Sequence, residues 1–217
     1  QALEREQDPG KARLLFESYS ALARGTDHLQ RLQALWQGAE TLAAVPLSET
    51  DRIRVAEILA LRLPGQWQAI VKLQVAATGN PDQRRRLQFI APSLAAEEKT
   101  RDAFFASLAD GDNRETENWV LDALAHLHHP SRVSQSQKYI LPSLELLEEI
   151  QASGDIFCPA GWLRSTLQNH RSPGVVATVQ DFLTTRPAYN PQLRLKILQA
   201  LDLPLRASAL SRPPDPL

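Results

Sequence analysis

Five histidines, one cysteine and two short polar runs are the residues of this 217-residue chain with chemistry to offer. The densest group is His126-Leu127-His128-His129-Pro130, with His28 and His170 elsewhere. Two histidines four apart on a helix, with a glutamate after the first, hold a zinc ion beside a general base; that is the pattern H-E-x-x-H. None of the five histidines begins it. His126 and His129 share a helical face, but no Asp, Glu or Cys follows at regular ligand spacing. The cluster closes a helical stretch before a proline, so it reads as capping. Imidazoles there bond the last carbonyls and complement the negative end of the helix dipole.

Asp110-Gly111-Asp112-Asn113-Arg114 has the look of a calcium loop, but that loop needs an oxygen ligand at its fifth position and Gly at its sixth. Here those places hold Arg114 and Glu115, so the run reads as a solvated turn between helices. Arg84-Arg85-Arg86 reads as a solvated face of an amphipathic helix, with contact to a carboxylate on a partner domain or a peptide as the other reading. Cys158, between Phe157 and Pro159, has no adjacent cation to depress its pKa and reads as a buried, inert thiol. No Gly-rich phosphate loop, no G-x-S-x-G elbow and no basic stripe interleaved with aromatics is present. The sequence therefore assigns no catalytic, cofactor-binding or metal-ligating residue.

Composition narrows the class. Hydrophobic residues make up 43% and charged residues 23%, ordinary proportions for a globular protein. A net charge of −1 gives no general attraction to nucleic acid or anionic membrane. The single cysteine excludes a disulfide within the chain and a cysteine-rich zinc module. No run reaches the ~20 apolar residues of a membrane-spanning helix, and none near the start resembles a signal peptide. The chain holds no Met and begins with Gln1, so it is expected to be part of a longer protein. The compartment is left open between cytoplasm and periplasm or exterior, because it depends on what precedes Gln1.

The elements that must position these residues are helices. Asp8-Pro9, Asn80-Pro81, Ser172-Pro173 and Asn190-Pro191 pair a capping side chain with a proline at the first helical position. Ser48 with Asp51 is a weaker form of the capping box. Gly25, Gly38, Gly65, Gly79, Gly111 and Gly154 fall where periodic runs end. The spacing predicts about eleven helices over 9–24, 27–38, 49–63, 66–78, 81–91, 95–109, 114–128, 135–153, 159–170, 173–186 and 191–203. Apolar stripes such as Val120, Leu124 and Leu127, or Ile140, Leu144, Leu147 and Ile150, mark one buried face each. Pro142 should kink the helix over 135–153 or mark its true start. Of the adjacent Phe104 and Phe105, one at most fits a single stripe, leaving the other for a neighbouring helix or an interface. Trp36, Trp67, Trp119 and Trp162 all fall on helical stretches, Trp67 being the one best placed for an interface.

Short helices and short connections favour antiparallel neighbours. The expected fold class is all-α, an irregular superhelix of about eleven short antiparallel helices. One domain over 1–210 is expected, followed by SRPPDPL (211–217), a Pro-rich tail or linker.

Three pieces carry a resemblance: RDAFFASL (101–108), NWVLDALAHLHHP (118–130) and KYILPSLELLEEIQASGDIF (138–157). Together, within Asn80 to Leu163, they resemble the C-terminal helical region of the aminopeptidase N family, zinc peptidases of the gluzincin type, in its bacterial form. The likeness extends more weakly from about Asp8 to about Leu205. It implies a superhelix of helix pairs forming a bowl over a catalytic domain. It implies that zinc, its ligands and the catalytic Glu lie in an upstream domain, since neither H-E-x-x-H nor the substrate motif G-A-M-E-N is in this chain. The implied role is non-catalytic: capping the active site and shaping access of peptide substrates. The implied partners are the upstream catalytic domain and the peptide. The other reading is an independent helical-repeat scaffold that binds a protein partner on its concave face.

Overall fold

A polar residue followed by proline starts four of the helices, as the spacing predicts. Asp8 Oδ1 accepts from Lys11 N at 2.8 Å. Asn80 accepts from Asp82 and Gln83, Ser172 from Val175, and Asn190 from Gln192 and Leu193. These contacts satisfy amide donors that a helix start leaves without partners. The computed structural model describes residues 2–153 and 158–210, and every regular element among them is helical. The all-α class stands. The expected tail at 211–217 and the helix stop at Gly154 lie outside the described residues.

Residue contacts gather the chain into two units, one ending at Glu97 and one beginning at Glu98. The first holds α1 (Ala2–Arg5), α2 (Pro9–Leu22), α3 (Thr26–Gln37), α4 (Glu49–Arg62), α5 (Trp67–Ala77) and α6 (Pro81–Leu94). Ser48 and Asp51 close a full capping box at the start of α4. Gly38 ends α3 with φ of 78°, a left-handed turn that a Cβ would strain. Helix α4 is the hub and packs on α2, α3, α5 and α6. Leu32, Leu35, Ile53, Leu59, Ile70 and Leu87 fill the space around it. Trp36 brings its indole N–H into this core and donates to Gln74 Oε1 at 2.6 Å.

Arginines close several helix C-termini. Arg62 donates to the carbonyls of Ser20, Ala21 and Ala23 at the end of α2, at 2.9, 2.6 and 2.5 Å. Arg52 donates to Trp36 O and Arg84 to Thr78 O. The last carbonyls of a helix lack intrahelical donors, and a guanidinium supplies several at once together with a favourable charge.

The second unit holds α7 (Glu98–Ser107), α8 (Glu117–Leu127), α9 (Val133–Ser136), α10 (Ile140–Glu145), α11 (Leu147–Ser153), α12 (Cys158–Leu167), α13 (Pro173–Thr184) and α14 (Pro191–Leu210). Helix α12 is the hub, packing on α8, α10, α11 and α14. Its buried residues include Gly161, Trp162, Leu163, Thr166 and Leu167, so it is covered on nearly every side. At Gly161 the helix lies close against α8: a Cβ there would lie 2.8 Å from Leu121 Cδ1.

The helix expected over 135–153 is broken into α9, a 3-10 turn over Gln137–Tyr139, α10 and α11. Pro142 sits at the third position of α10, where its missing N–H costs no intrahelical bond, so it marks a true start. Ser143 O, near the break after α10, accepts from the Trp162 indole at 3.1 Å. Two other prolines behave differently from expectation. Helices α6 and α14 run through Pro92 and Pro204, although the predicted spans stop before each. Pro92 lies in the last turn of α6, and the carbonyl it leaves unbonded belongs to exposed Gln88.

Candidate functional site

Two histidines, 42 positions apart, depart strongly from ordinary chemistry. Helix α8 ends at Leu127, and the next residue, His128, turns its ring into the core of the second unit. Helix α12 ends at Leu167, and His170 follows in the turn that leads to α13. Because α8 packs on α12, both helix ends meet. His128 Nδ1 lies 2.8 Å from His170 Nε2, and the rings cross at 70°. Asn169 fixes the same corner by donating from Nδ2 to His128 O at 3.0 Å.

Both rings are buried, at 0% and 1% exposure. Burial pushes both below the ordinary imidazole range, His170 to about 4 and His128 well down, with His170 adding to the depression of His128. The pair is therefore neutral at pH 7, and one N–H bridges the two rings. The outer nitrogens, His128 Nε2 and His170 Nδ1, have no protein partner among the described residues. In either tautomer one of them is a bare N–H and the other a bare lone pair.

Tyr139 stands edge-on to His128 with centroids 6.0 Å apart, and stacks on Phe105 at 4.5 Å. Its hydroxyl donates to Asp102 Oδ1 at 2.5 Å. Burial, and then the Asp102 contact, push the phenol far above its ordinary pKa. Lys138 bonds Asp102 at 2.8 Å and also pairs with Glu98. Those contacts hold the Asp102 carboxyl below its usual range. Arg132 is buried nearby, brought down to about 10 by burial and then by Arg101. Arg101 donates to Gln135 Oε1 at 2.6 Å.

The other sequence candidates fall apart in space or serve structure. His129 caps the 3-10 turn that begins at Pro130, accepting from Ser131 N. His128, rather than the His126 and His129 face, is the member of the cluster that the fold buries. The arginine triplet is divided: Arg84 caps α5, Arg85 pairs with Asp82 at the surface, and Arg86 bonds Glu57 of α4 at 2.6 Å with both side chains mostly covered. A face expected to be solvated thus supplies one ion pair within the unit. In the 110–114 run, Asp110 caps a 3-10 turn and Arg114 is buried, donating to Leu108 O and Glu149 Oε1. Phe104 and Phe105 are both buried, where one was expected in the stripe. Cys158 is half-buried rather than buried, at the rim of a cavity of about 310 Å³ that Arg114 and Trp162 also line.

A cleft of about 640 Å³ in the first unit is lined by Leu3, Glu4, Arg31, Glu40 and Leu42. Arg31 bridges Glu4 and Glu40 at 3.0 and 2.8 Å, so the lining cation is engaged by two lining carboxylates. Among the described residues no group of three or more His, Cys, Asp or Glu side chains is placed to hold one metal ion. No described helix is long and apolar enough to cross a membrane.

His170 and Tyr139 are the members of this site that sequence reasoning passed over. Neither carries a local signal, because their partners are 42 and 37 positions away. No family model, no curated protein and no solved structure matches this chain.

Proposed function

We propose that this chain is the non-catalytic C-terminal helical domain of a zinc-dependent aminopeptidase of the aminopeptidase N family, an enzyme that removes N-terminal residues from peptides. The observation that carries the reading is where the three resembling pieces fall. They supply α7, α8 and the segment from Lys138 through α11, and their apolar residues are spent on packing: Phe104, Phe105, Val120, Leu124, Ile140 and Leu147 are all buried. Of their titratable residues, Arg101, His128 and Tyr139 sit in the same core. Such sequence suits a domain that shapes a site rather than one that performs chemistry.

In this reading the zinc, its ligands and the general base belong to an upstream domain of the same polypeptide. The helical domain caps that site, limits substrate length and excludes folded proteins. Closure over the zinc sequesters the reaction from bulk water, and domain movement gates entry. Some of the 24 Lys and Arg residues then meet the far end of a bound peptide.

Reading the coding sequence upstream of Gln1 is the first test. H-E-x-x-H followed by a Glu about one helix further on supports the proposal. An initiator Met directly before Gln1 supports the independent scaffold instead. The second test removes this region from the full-length enzyme and adds it back in trans. If the truncated enzyme stays folded and zinc-loaded and cleaves long and short peptides with unchanged kcat/KM, the capping role is wrong.

A further inference from the structure

We propose that the His128–His170 pair is an acid-release latch: protonation of both rings breaks the ring-to-ring bond and frees the end of α12 from the end of α8. At 2.8 Å the two facing nitrogens hold one hydrogen between them. The first added proton takes the bare outer lone pair and places a positive charge in a site with no exposed edge; the next takes the lone pair at the bridge and sets N–H against N–H at 2.8 Å. The hydrogen bond is lost and the charge is left without solvent, so the state with both rings buried is the one that gives way.

The surroundings do not offset that charge. From the segment after α8, the facing group is Tyr139, whose hydroxyl is already committed to Asp102. Arg132 is a buried cation that interacts with Tyr139, and Lys138 is engaged by Asp102 and Glu98. From α7, Arg101 adds another buried cation, and Asp102 meets the pair only through Tyr139. On α8 itself, Asp122 and His126 lie on half-covered positions. From α12 and the turn after it, Arg164 and Arg171 are exposed, and Asn169 is neutral and bonded to His128 O. Burial alone sets His170, and burial with His170 sets His128, so no described carboxylate offsets a positive charge on either ring.

The direction with pH follows. Both histidines have folded pKa values depressed below the unfolded value, which is about 6.5. The unfolded chain therefore binds more protons between about pH 6.5 and the folded values. The latch contributes fully above about pH 7 and is lost as the pH falls below 6.5, before carboxylates such as Asp51 and Asp102 reach their own lowered range.

The test uses urea unfolding of the whole chain between pH 7.5 and 5. Two histidines held neutral predict uptake of nearly two protons per chain at pH 5 and a roughly 1,000-fold rise in the unfolding constant of the second unit. Uptake below about half a proton overturns the proposal. The double variant His128→Leu/His170→Leu, which replaces both partners together, should show less than about a tenfold change over the same range. A rise as large as the parent's overturns the assignment to this pair. Should the double variant not fold, imidazole ¹⁵N shifts of the parent decide. Both rings are expected to stay neutral until the amides of 124–128 and 167–170 lose exchange protection together. A ring that titrates near 6.5 while those amides remain protected overturns the latch.

Discussion

Arg13 of α2 grips both carboxylate oxygens of Asp51 on α4, with Nη1 at 2.8 Å from Oδ2 and Nη2 on Oδ1. Asp51 is the residue that also closes the capping box, accepting from Ser48 N at 2.9 Å and Ser48 Oγ at 2.7 Å. One buried carboxylate therefore starts α4 and ties it to α2.

Burial pushes the Asp51 carboxyl up, but Arg13 and the Ser48 donors outweigh it and hold the group below its usual range. Its contribution is present above the unfolded carboxylate value of about 3.9 and is lost as the pH falls through the lower folded value. Asp51→Ala, which removes cap and ion pair together, is expected to cost about 3 kcal/mol. Arg13→Ala should cost about half as much, because the Arg13 side chain is 38% exposed and solvent screens the pair. Denaturant midpoints of the two variants at pH 7 check the order; equal costs would assign the effect to the ion pair alone, and no cost for Arg13→Ala would assign it to the cap alone.

Arg62 is a second structural cation with a defined task. Its three bonds to carbonyls at the end of α2 depend on the planar fork of the guanidinium. Arg62→Lys keeps the charge but loses the fork, and is expected to cost on the order of 1–2 kcal/mol. Hydrogen exchange should accelerate at amides near the end of α2, residues 19–23, while amides in α5 and α6 are little changed. Uniform acceleration across the first unit would mean that the cap has no local role.

Leu124 tests the register of α8. It is fully buried at the centre of the Val120, Leu124, Leu127 stripe. Leu124→Ala should destabilise by about 2–5 kcal/mol. Leu124→Asp should cost more, since an unpaired charge enters the core. A melting temperature for Leu124→Asp equal to the parent's would place this face of α8 in solvent.

Gly161 and Leu121 make a sharper pair. Alanine at 161 gains up to about 1 kcal/mol of helix propensity, but its Cβ meets Leu121 Cδ1 at 2.8 Å. The overlap costs about 1–3 kcal/mol, so Gly161→Ala is expected to be mildly destabilising with Leu121 in place. With Leu121→Ala the overlap is gone and the same change should stabilise. Additive effects in this double-mutant cycle would show that α8 and α12 do not touch here.

Much of the secondary structure was legible in the chain. The caps at Asp8, Ser48, Asn80, Ser172 and Asn190, and the stripe on α8, are contacts within three or four residues. Amide donors at a helix start and apolar side chains on one face are satisfied by near neighbours, so residue order alone determines them. Pro142 was readable for the same reason. Pro92 and Pro204 were not, because helices continue past a proline when the freed carbonyl finds another environment, and that environment is tertiary. The division after Glu97 leaves no mark in composition. His128, His170 and Tyr139 were the least legible of all. A histidine near a helix end has the same local sequence whether it faces water or core. Only the packing of α8 on α12 brought two of them to 2.8 Å and removed their solvent. The sequence by itself determined an all-helical chain with its starts and buried stripes. The tertiary structure decided which polar residues became partners, because such pairings join positions some forty residues apart through a core that neither position encodes alone.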